Sequence, residues 1–121
     1  MNTVLLIDDD PVQLRIREQV LRAAGFEVHI ATSGDSALAL LRTPVGKSVS
    51  VIISDHIMPG LSGPELVRQL KGVAPHCGVI VVSGMAEAED EYEGLGVVFR
   101  TKPCLPAELI QLVRLETQRA A

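Results

Sequence analysis

The sequence contains few aromatic residues, and their scarcity argues against one class of partner. It has no tryptophan, one tyrosine and two phenylalanines among 121 residues. Unpaired nucleic-acid bases bind to proteins by stacking on aromatic side chains, and this chain offers no platform of that kind. Because hydrophobic residues still make up 47% of the chain, the core is expected to be mainly aliphatic.

Basic residues are also in the minority. Lys and Arg number 11 against 15 Asp and Glu, which gives a formal net charge of −4 and an isoelectric point near 5.3. Proteins that bind nucleic acids contact phosphates through concentrations of Lys and Arg. We therefore expect no direct nucleic-acid binding.

Cysteines and long apolar runs are equally scarce. Cys77 and Cys104 lie far apart, outside any C-x-x-C pair, so neither a disulfide framework nor a zinc site is expected. The first residues lack the basic segment and cleavage site of a signal peptide. No apolar run approaches the roughly 20 residues that a membrane span needs. We expect a cytoplasmic protein with two reduced thiols and no membrane contact.

The pattern of apolar residues predicts one α/β domain over residues 1–121, a length typical of a single domain. Short runs rich in β-branched residues alternate with helical patterns. The runs are 4–7, 28–31, 51–53, 79–82 and 97–99, and the helical patterns cover 11–24, 35–42, 64–71, 85–93 and the segment from 106. This alternation is typical of a doubly wound, five-stranded parallel sheet with helices on both faces.

Polar residues follow the predicted strands, and a doubly wound sheet binds its ligand at those ends. They are Asp8, Asp9 and Asp10 after the first strand, Asp55 after the third, Ser83 after the fourth and Lys102 after the fifth. Clustered carboxylates favour a cation among them, and oxygen ligands without His or Cys favour Mg²⁺. A lysine and a hydroxyl can hold phosphoryl oxygens. Ser83 alone is typical of a helix N-cap, so the prediction depends on the combination.

Four segments resemble the receiver domain of two-component response regulators, in family order and over essentially the whole chain. They are LIDDDP at 6–11, ISDHIMPG at 53–60, VSG at 82–84 and TKP at 101–103. The resemblance implies a flavodoxin-like fold with strand order 2-1-3-4-5. It also implies a phosphorelay signalling function rather than turnover of an external substrate.

The resemblance implies a role for each matching residue around the metal. Asp55 would be the nucleophile that takes a phosphoryl group from the phosphohistidine of a histidine kinase or histidine phosphotransfer protein. Asp9 would bind Mg²⁺ (or Mn²⁺) directly, and Asp8 would act partly through water. The backbone carbonyl of Ile57, together with Asp55, would complete the protein's share of the metal ligands.

Further roles follow from the same resemblance. Ser83 and Lys102 would hold phosphoryl oxygens, and Ser83 and Phe99 would form the switch toward a downstream output domain or protein. By pattern alone Phe99 is a core residue. The positions that flank the attacking water would be Ile57 and Met85, whose side chains orient water poorly, so slow loss of the phosphoryl group is expected.

Two other local expectations concern loops. The stretch between Ser83 and Lys102 is short for the family and contains Gly94 and Gly96, so the helix predicted over 85–93 should be short or frayed. His56 is expected to be a solvent-facing loop side chain.

Two alternative functions come from other classes. Asp8 and Asp10 form the D-x-D of a haloacid dehalogenase-type phosphohydrolase. That class needs an acidic pair after its lysine, whereas Lys102 is followed only by Glu108 and Glu116 on a helix. A flavodoxin-like binding module would hold flavin phosphate at the first loop, where three aspartates would repel it.

Overall fold

In residues 2–56 and 60–120, which the computed structural model describes, five parallel strands form one sheet. The strands are β1 (Thr3–Ile7), β2 (Glu27–Ala31), β3 (Val49–Asp55), β4 (Gly78–Ser83) and β5 (Val98–Thr101). Their spatial order is β2-β1-β3-β4-β5, which confirms the predicted order. The chain changes direction between β1 and β3, so a crevice is expected at the carboxyl ends of these two strands.

Helices cover both faces of the sheet. Within the same ranges, they are α1 (Pro11–Ala23), α2 (Gly34–Leu41), α3 (Gly63–Val73) and α4 (Pro106–Ala120), with 3₁₀ helices at Pro44–Lys47 and Ala86–Tyr92. None of these described helices is both long enough and apolar enough to cross a membrane.

The core lies on the two faces of the central strands, whose side chains alternate between them. In β1, Leu5 and Ile7 pack toward α2 and α3, while Val4 and Leu6 pack toward α1 and α4. Both groups are essentially inaccessible to solvent. The core is mainly aliphatic, as predicted, and the three aromatic rings of the chain are also buried.

The segment between β1 and α1 is fixed by a helix cap. Asp10 is the N-cap residue of α1, and its Oδ1 accepts the amide of Val12 at 2.9 Å. A side-chain cap of this kind satisfies amide groups that the first helical turn leaves free. Pro11 starts the helix, where its missing N–H costs nothing. The cap therefore holds the short loop that carries Asp8 and Asp9.

The α-helix predicted over 85–93 is wrong in type, although its shortness is as expected. The structure has a 3₁₀ helix at Ala86–Tyr92, a form used mainly in short pieces. Gly94 and Gly96 follow it with φ angles of +79° and +68°. Only glycine adopts this conformation readily, and the two residues turn the chain quickly into β5.

The two cysteines are free in the described part of the chain, as predicted. Cys77 is buried, and its thiol donates a hydrogen bond to the carbonyl of Val49 at 3.0 Å. Burial raises the pKa of this thiol to about 11, so it is protonated at neutral pH. Cys104 is half-buried.

Candidate functional site

The carboxyl ends of β1 and β3 bring three carboxylates together. Asp8 and Asp9 follow β1, and Asp55 is the last residue of β3. One oxygen from each carboxylate lies within 4.8 Å of the other two. Asp8 and Asp55 are buried, whereas Asp9 is exposed. The structure therefore places three of the four acidic residues that follow the predicted strands in one pocket that opens to solvent at Asp9.

Asp8 is held by two donors. Its Oδ1 accepts a hydrogen bond from the backbone amide of Asp10 at 2.9 Å. Its Oδ2 accepts a hydrogen bond from Nη1 of Arg17 at 3.2 Å. Burial raises the pKa of the Asp8 carboxyl, and the charge of Asp55 adds to the rise, whereas the Asp10 amide, Arg17 and Lys102 oppose it. Sequence reasoning missed Arg17. Its spacing from Leu14 and Leu21, three and four residues away, places it on the buried face of α1.

Asp55 contacts the lysine that follows β5. Its Oδ1 lies 2.8 Å from Nζ of Lys102. The backbone amide of Lys102 donates to the carbonyl of Ser83 at 2.7 Å, which ties the loop after β5 to the end of β4. The Lys102 side chain remains about one-third exposed, so solvent and a small ligand can reach its ammonium group.

Ser83 ends β4 beside these groups and is buried. Its Oγ accepts the amide of Met85 at 2.9 Å and donates to the carbonyl of the same residue at 3.3 Å. The hydroxyl therefore closes the turn after β4. Ser83 is not the helix N-cap that its residue type alone would favour, since Met85 holds that position before the 3₁₀ helix, and its contact with a phosphoryl oxygen stays a prediction.

Comparison with known proteins identifies the family. Residues 4–114 match the family model described as the response regulator receiver domain. The chain belongs to this family. The solved receiver domain from Clostridium thermocellum superimposes with a TM-score of 0.90 at 27% identity, covering 98% of this chain and 96% of that one.

Two curated relatives are much longer proteins. The sensor kinase CckA of Brucella abortus is 38% identical over 85 residues, which are 70% of this chain and 9% of that protein. The hydrogenase transcriptional regulatory protein HoxA of Cupriavidus necator is 35% identical over 118 residues, which are 93% of this chain and 23% of that protein. This receiver domain thus spans less than a quarter of the length of either relative.

Three rings, those of His56, Tyr92 and Phe99, link the residue after β3 to β5. The Nδ1 of His56 lies 2.5 Å from the hydroxyl of Tyr92, and the Tyr92 ring packs against Phe99 with centroids 5.7 Å apart. The solvent-facing position expected for His56 is wrong, since its side chain is 11% exposed. Gly63 makes the arrangement possible, because a methyl group there would overlap the Tyr92 hydroxyl.

The environment of Tyr92 keeps its phenol neutral. Burial raises its pKa to about 12, and the charges of Glu91 and Asp55 contribute to the rise. Phe99 is buried on the same side of the sheet, which agrees with its prediction as a core residue. Ile57 lies outside the described residues, so its predicted metal contact stays a prediction.

Proposed function

We propose that this receiver domain accepts a phosphoryl group on Asp55 from the phosphohistidine of a histidine kinase or a histidine phosphotransfer protein. The observation that carries the proposal is the 2.8 Å contact between Asp55 Oδ1 and Lys102 Nζ beside the Asp8–Asp9 pair. An aspartate oxygen can attack phosphorus to form a mixed anhydride. The new oxygen–phosphorus bond forms as the nitrogen–phosphorus bond of the donor breaks, and the donor imidazole leaves.

The three carboxylates fit a divalent cation. Their oxygens lie within 4.8 Å of one another, and an all-oxygen donor set favours Mg²⁺ (or Mn²⁺) over softer metals. We infer that Asp9 and Asp55 bind the ion directly, that Asp8 acts partly through water, and that the carbonyl of Ile57 adds a ligand. When bound, the ion would offset negative charge on the transferred group.

Lys102 and Ser83 are proposed to hold the phosphoryl oxygens. The Lys102 ammonium already contacts Asp55, so a small adjustment brings it to an oxygen on the phosphorylated side chain. Ser83 must exchange its hydrogen bonds with Met85 for one to the new group. The added negative charge and acceptor oxygens favour that exchange.

Loss of the hydrogen bonds between Ser83 and Met85 would let the effect of phosphorylation reach the protein surface. Met85 precedes the 3₁₀ helix Ala86–Tyr92, and Tyr92 at its end packs on Phe99 in β5. We infer that phosphorylation shifts the 3₁₀ helix, β5 and their neighbours, which is how a local charge change reaches a wider surface. A downstream output domain or protein would read this surface.

Residues 1–121 are proposed to act as one receiver domain in the cytoplasm. Membership in a family of signalling domains favours a phosphoacceptor over a haloacid dehalogenase-type phosphohydrolase or a flavodoxin-like module. The similar proteins CckA and HoxA are named as a sensor kinase and a transcriptional regulatory protein. The output that this receiver domain controls is therefore a separate question from its phosphorylation.

Intact-mass measurement tests the proposal. The protein is incubated with acetyl phosphate and Mg²⁺, and one phosphoryl adduct is expected. The adduct should be absent from Asp55→Asn and from wild-type protein held in chelator. Asp35→Asn is the matched control, because Asp35 is exposed on α2 and should not affect the reaction. An undiminished adduct in Asp55→Asn would refute the assignment.

A further inference from the structure

Arg17 reaches the acidic pocket from the buried face of α1. Its Nη1 lies 3.2 Å from Asp8 Oδ2, and the two side chains are only 11% and 2% exposed. The other oxygen of Asp8 accepts the amide of Asp10. Both oxygens of Asp8 are therefore already engaged, one by a backbone amide and one by a permanently charged guanidinium group.

The charges in the pocket show what Arg17 changes. Asp8, Asp9 and Asp55 carry three negative charges when ionised, and Arg17 and Lys102 each contact one of these carboxylates. The five side chains together leave one negative charge. Without Arg17 they would leave two, which a divalent cation would neutralise. Arg17 thus lowers the net negative charge of the pocket by one, which weakens its electrostatic attraction for a divalent cation.

We propose that Arg17 is a positioning residue that competes with the divalent cation for Asp8 and thereby lowers the affinity of the pocket for Mg²⁺. This inference rests on the proposed metal site of the receiver domain. A cation that shares Asp8 must either displace Arg17 or accept a buried positive charge nearby. The low dielectric of a buried position strengthens that repulsion relative to water.

The same contact stabilises the protein when no cation is bound. Asp8 is buried and lies beside the Asp55 carboxylate, so its negative charge lacks solvent and faces a like charge, and the guanidinium group offsets part of this cost. Removal of one partner from a buried ion pair leaves the other charge uncompensated, which is strongly destabilising. Loss of Arg17 should therefore have opposite effects on the two states: the cation-free protein becomes less stable, and the cation binds more tightly.

Calorimetric titration with Mg²⁺ alone tests this inference in the full chain. Arg17→Met removes the charge and keeps an unbranched apolar side chain, and it should bind Mg²⁺ about tenfold more tightly, as expected for one nearby charge. Arg17→Lys keeps the charge and should stay close to wild type. Arg15→Met removes an exposed charge from the same helix and should change the affinity little.

Thermal unfolding, measured first in chelator and then with added Mg²⁺, provides a second readout that needs no phosphoryl donor. Arg17→Met should melt below wild type and gain more from added Mg²⁺, whereas Arg15→Met should match wild type in both respects. If Arg17→Met is too unstable to titrate, Arg17→Gln takes its place with the same expectations.

The outcomes separate this inference from the proposed function. The charge-removing variants could bind Mg²⁺ no more tightly than a wild-type protein that does bind it. That result would overturn the competition between Arg17 and the cation for Asp8 and leave the phosphoacceptor proposal intact. Absence of Mg²⁺ binding by wild type would overturn the metal site and this inference with it. Phosphorylation of Asp55 is measured independently by mass.

Discussion

Replacement of Asp9 by Asn should stabilise the protein when no divalent cation is present. An Asp9 oxygen lies within 4.8 Å of oxygens of Asp8 and Asp55, and like charges at that separation repel. Coulomb's law gives about 0.9 kcal/mol per pair at the dielectric constant of water and about 3.5 kcal/mol at an effective value of 20. Because Asp9 is exposed and Arg17 and Lys102 offset part of the repulsion, we expect Asp9→Asn to raise the free energy of unfolding by about 1 kcal/mol.

Thermal unfolding followed by circular dichroism measures this gain. For a chain of this length, about 1 kcal/mol corresponds to a rise in Tm of roughly 3–5 °C in chelator. Saturating Mg²⁺ should then reverse the order, because a ligand at 100 times its Kd stabilises the wild-type protein by about 2.7 kcal/mol. Asp9→Asn lacks one proposed ligand and should gain much less.

The control for this experiment is Asp35→Asn, which removes an exposed carboxylate from the first turn of α2. It should not raise Tm in chelator, and it should respond to Mg²⁺ like wild type. An Asp9→Asn protein that melts below wild type in chelator and still gains the full Mg²⁺ stabilisation would refute the repulsion among these carboxylates.

Four further predictions concern the rings of His56, Tyr92 and Phe99 and the lifetime of the phosphoryl group. Tyr92→Phe removes the hydrogen bond with His56 and should lower the free energy of unfolding by about 1 kcal/mol. Gly63→Ala should cost less in that background than in wild type, because the overlapping hydroxyl is gone; additive losses in urea unfolding would contradict this. Phenolate absorbance of the single tyrosine should give a pKa of about 12 in the folded protein against about 10 in the unfolded chain. The contribution of Tyr92 to the free energy of unfolding is therefore full below pH ~10 and is lost as the pH rises through about 12. Titration of the folded protein at the pKa of the unfolded chain would contradict the burial of the phenol. Loaded Ile57→Asn/Met85→Glu should lose phosphate faster than wild type after removal of the donor, because polar side chains can orient the attacking water; an equal or slower rate would exclude these side chains as determinants.

The sheet and the acidic pocket could be predicted because both depend on local patterns. Each β-branched run is short and followed by a helical pattern, and the carboxyl ends of parallel strands meet at one edge. Residues that directly follow strands, such as Asp8, Asp55 and Lys102, therefore have predictable positions relative to one another. The capping role of Asp10 further restricts the loop after β1.

Other features depend on contacts between distant residues. The position of His56 depends on Tyr92, which is 36 residues away, and on the absence of a side chain at Gly63. A local pattern around His56 contains neither fact. Arg17 lies at a buried helical position, but a long basic side chain at such a position can also extend to solvent. The type of helix at Ala86–Tyr92 depends on how soon the chain must enter β5.

Identification of the phosphorylated residue tests the central claim most directly. The protein is loaded from acetyl phosphate in Mg²⁺, and borohydride then reduces the acyl phosphate, which converts a phosphorylated aspartate into homoserine. Peptide sequencing by mass spectrometry locates the product. We predict homoserine at position 55 in the wild-type protein and in Asp35→Asn. Homoserine at position 8, 9 or 10, with aspartate retained at position 55, would contradict the account.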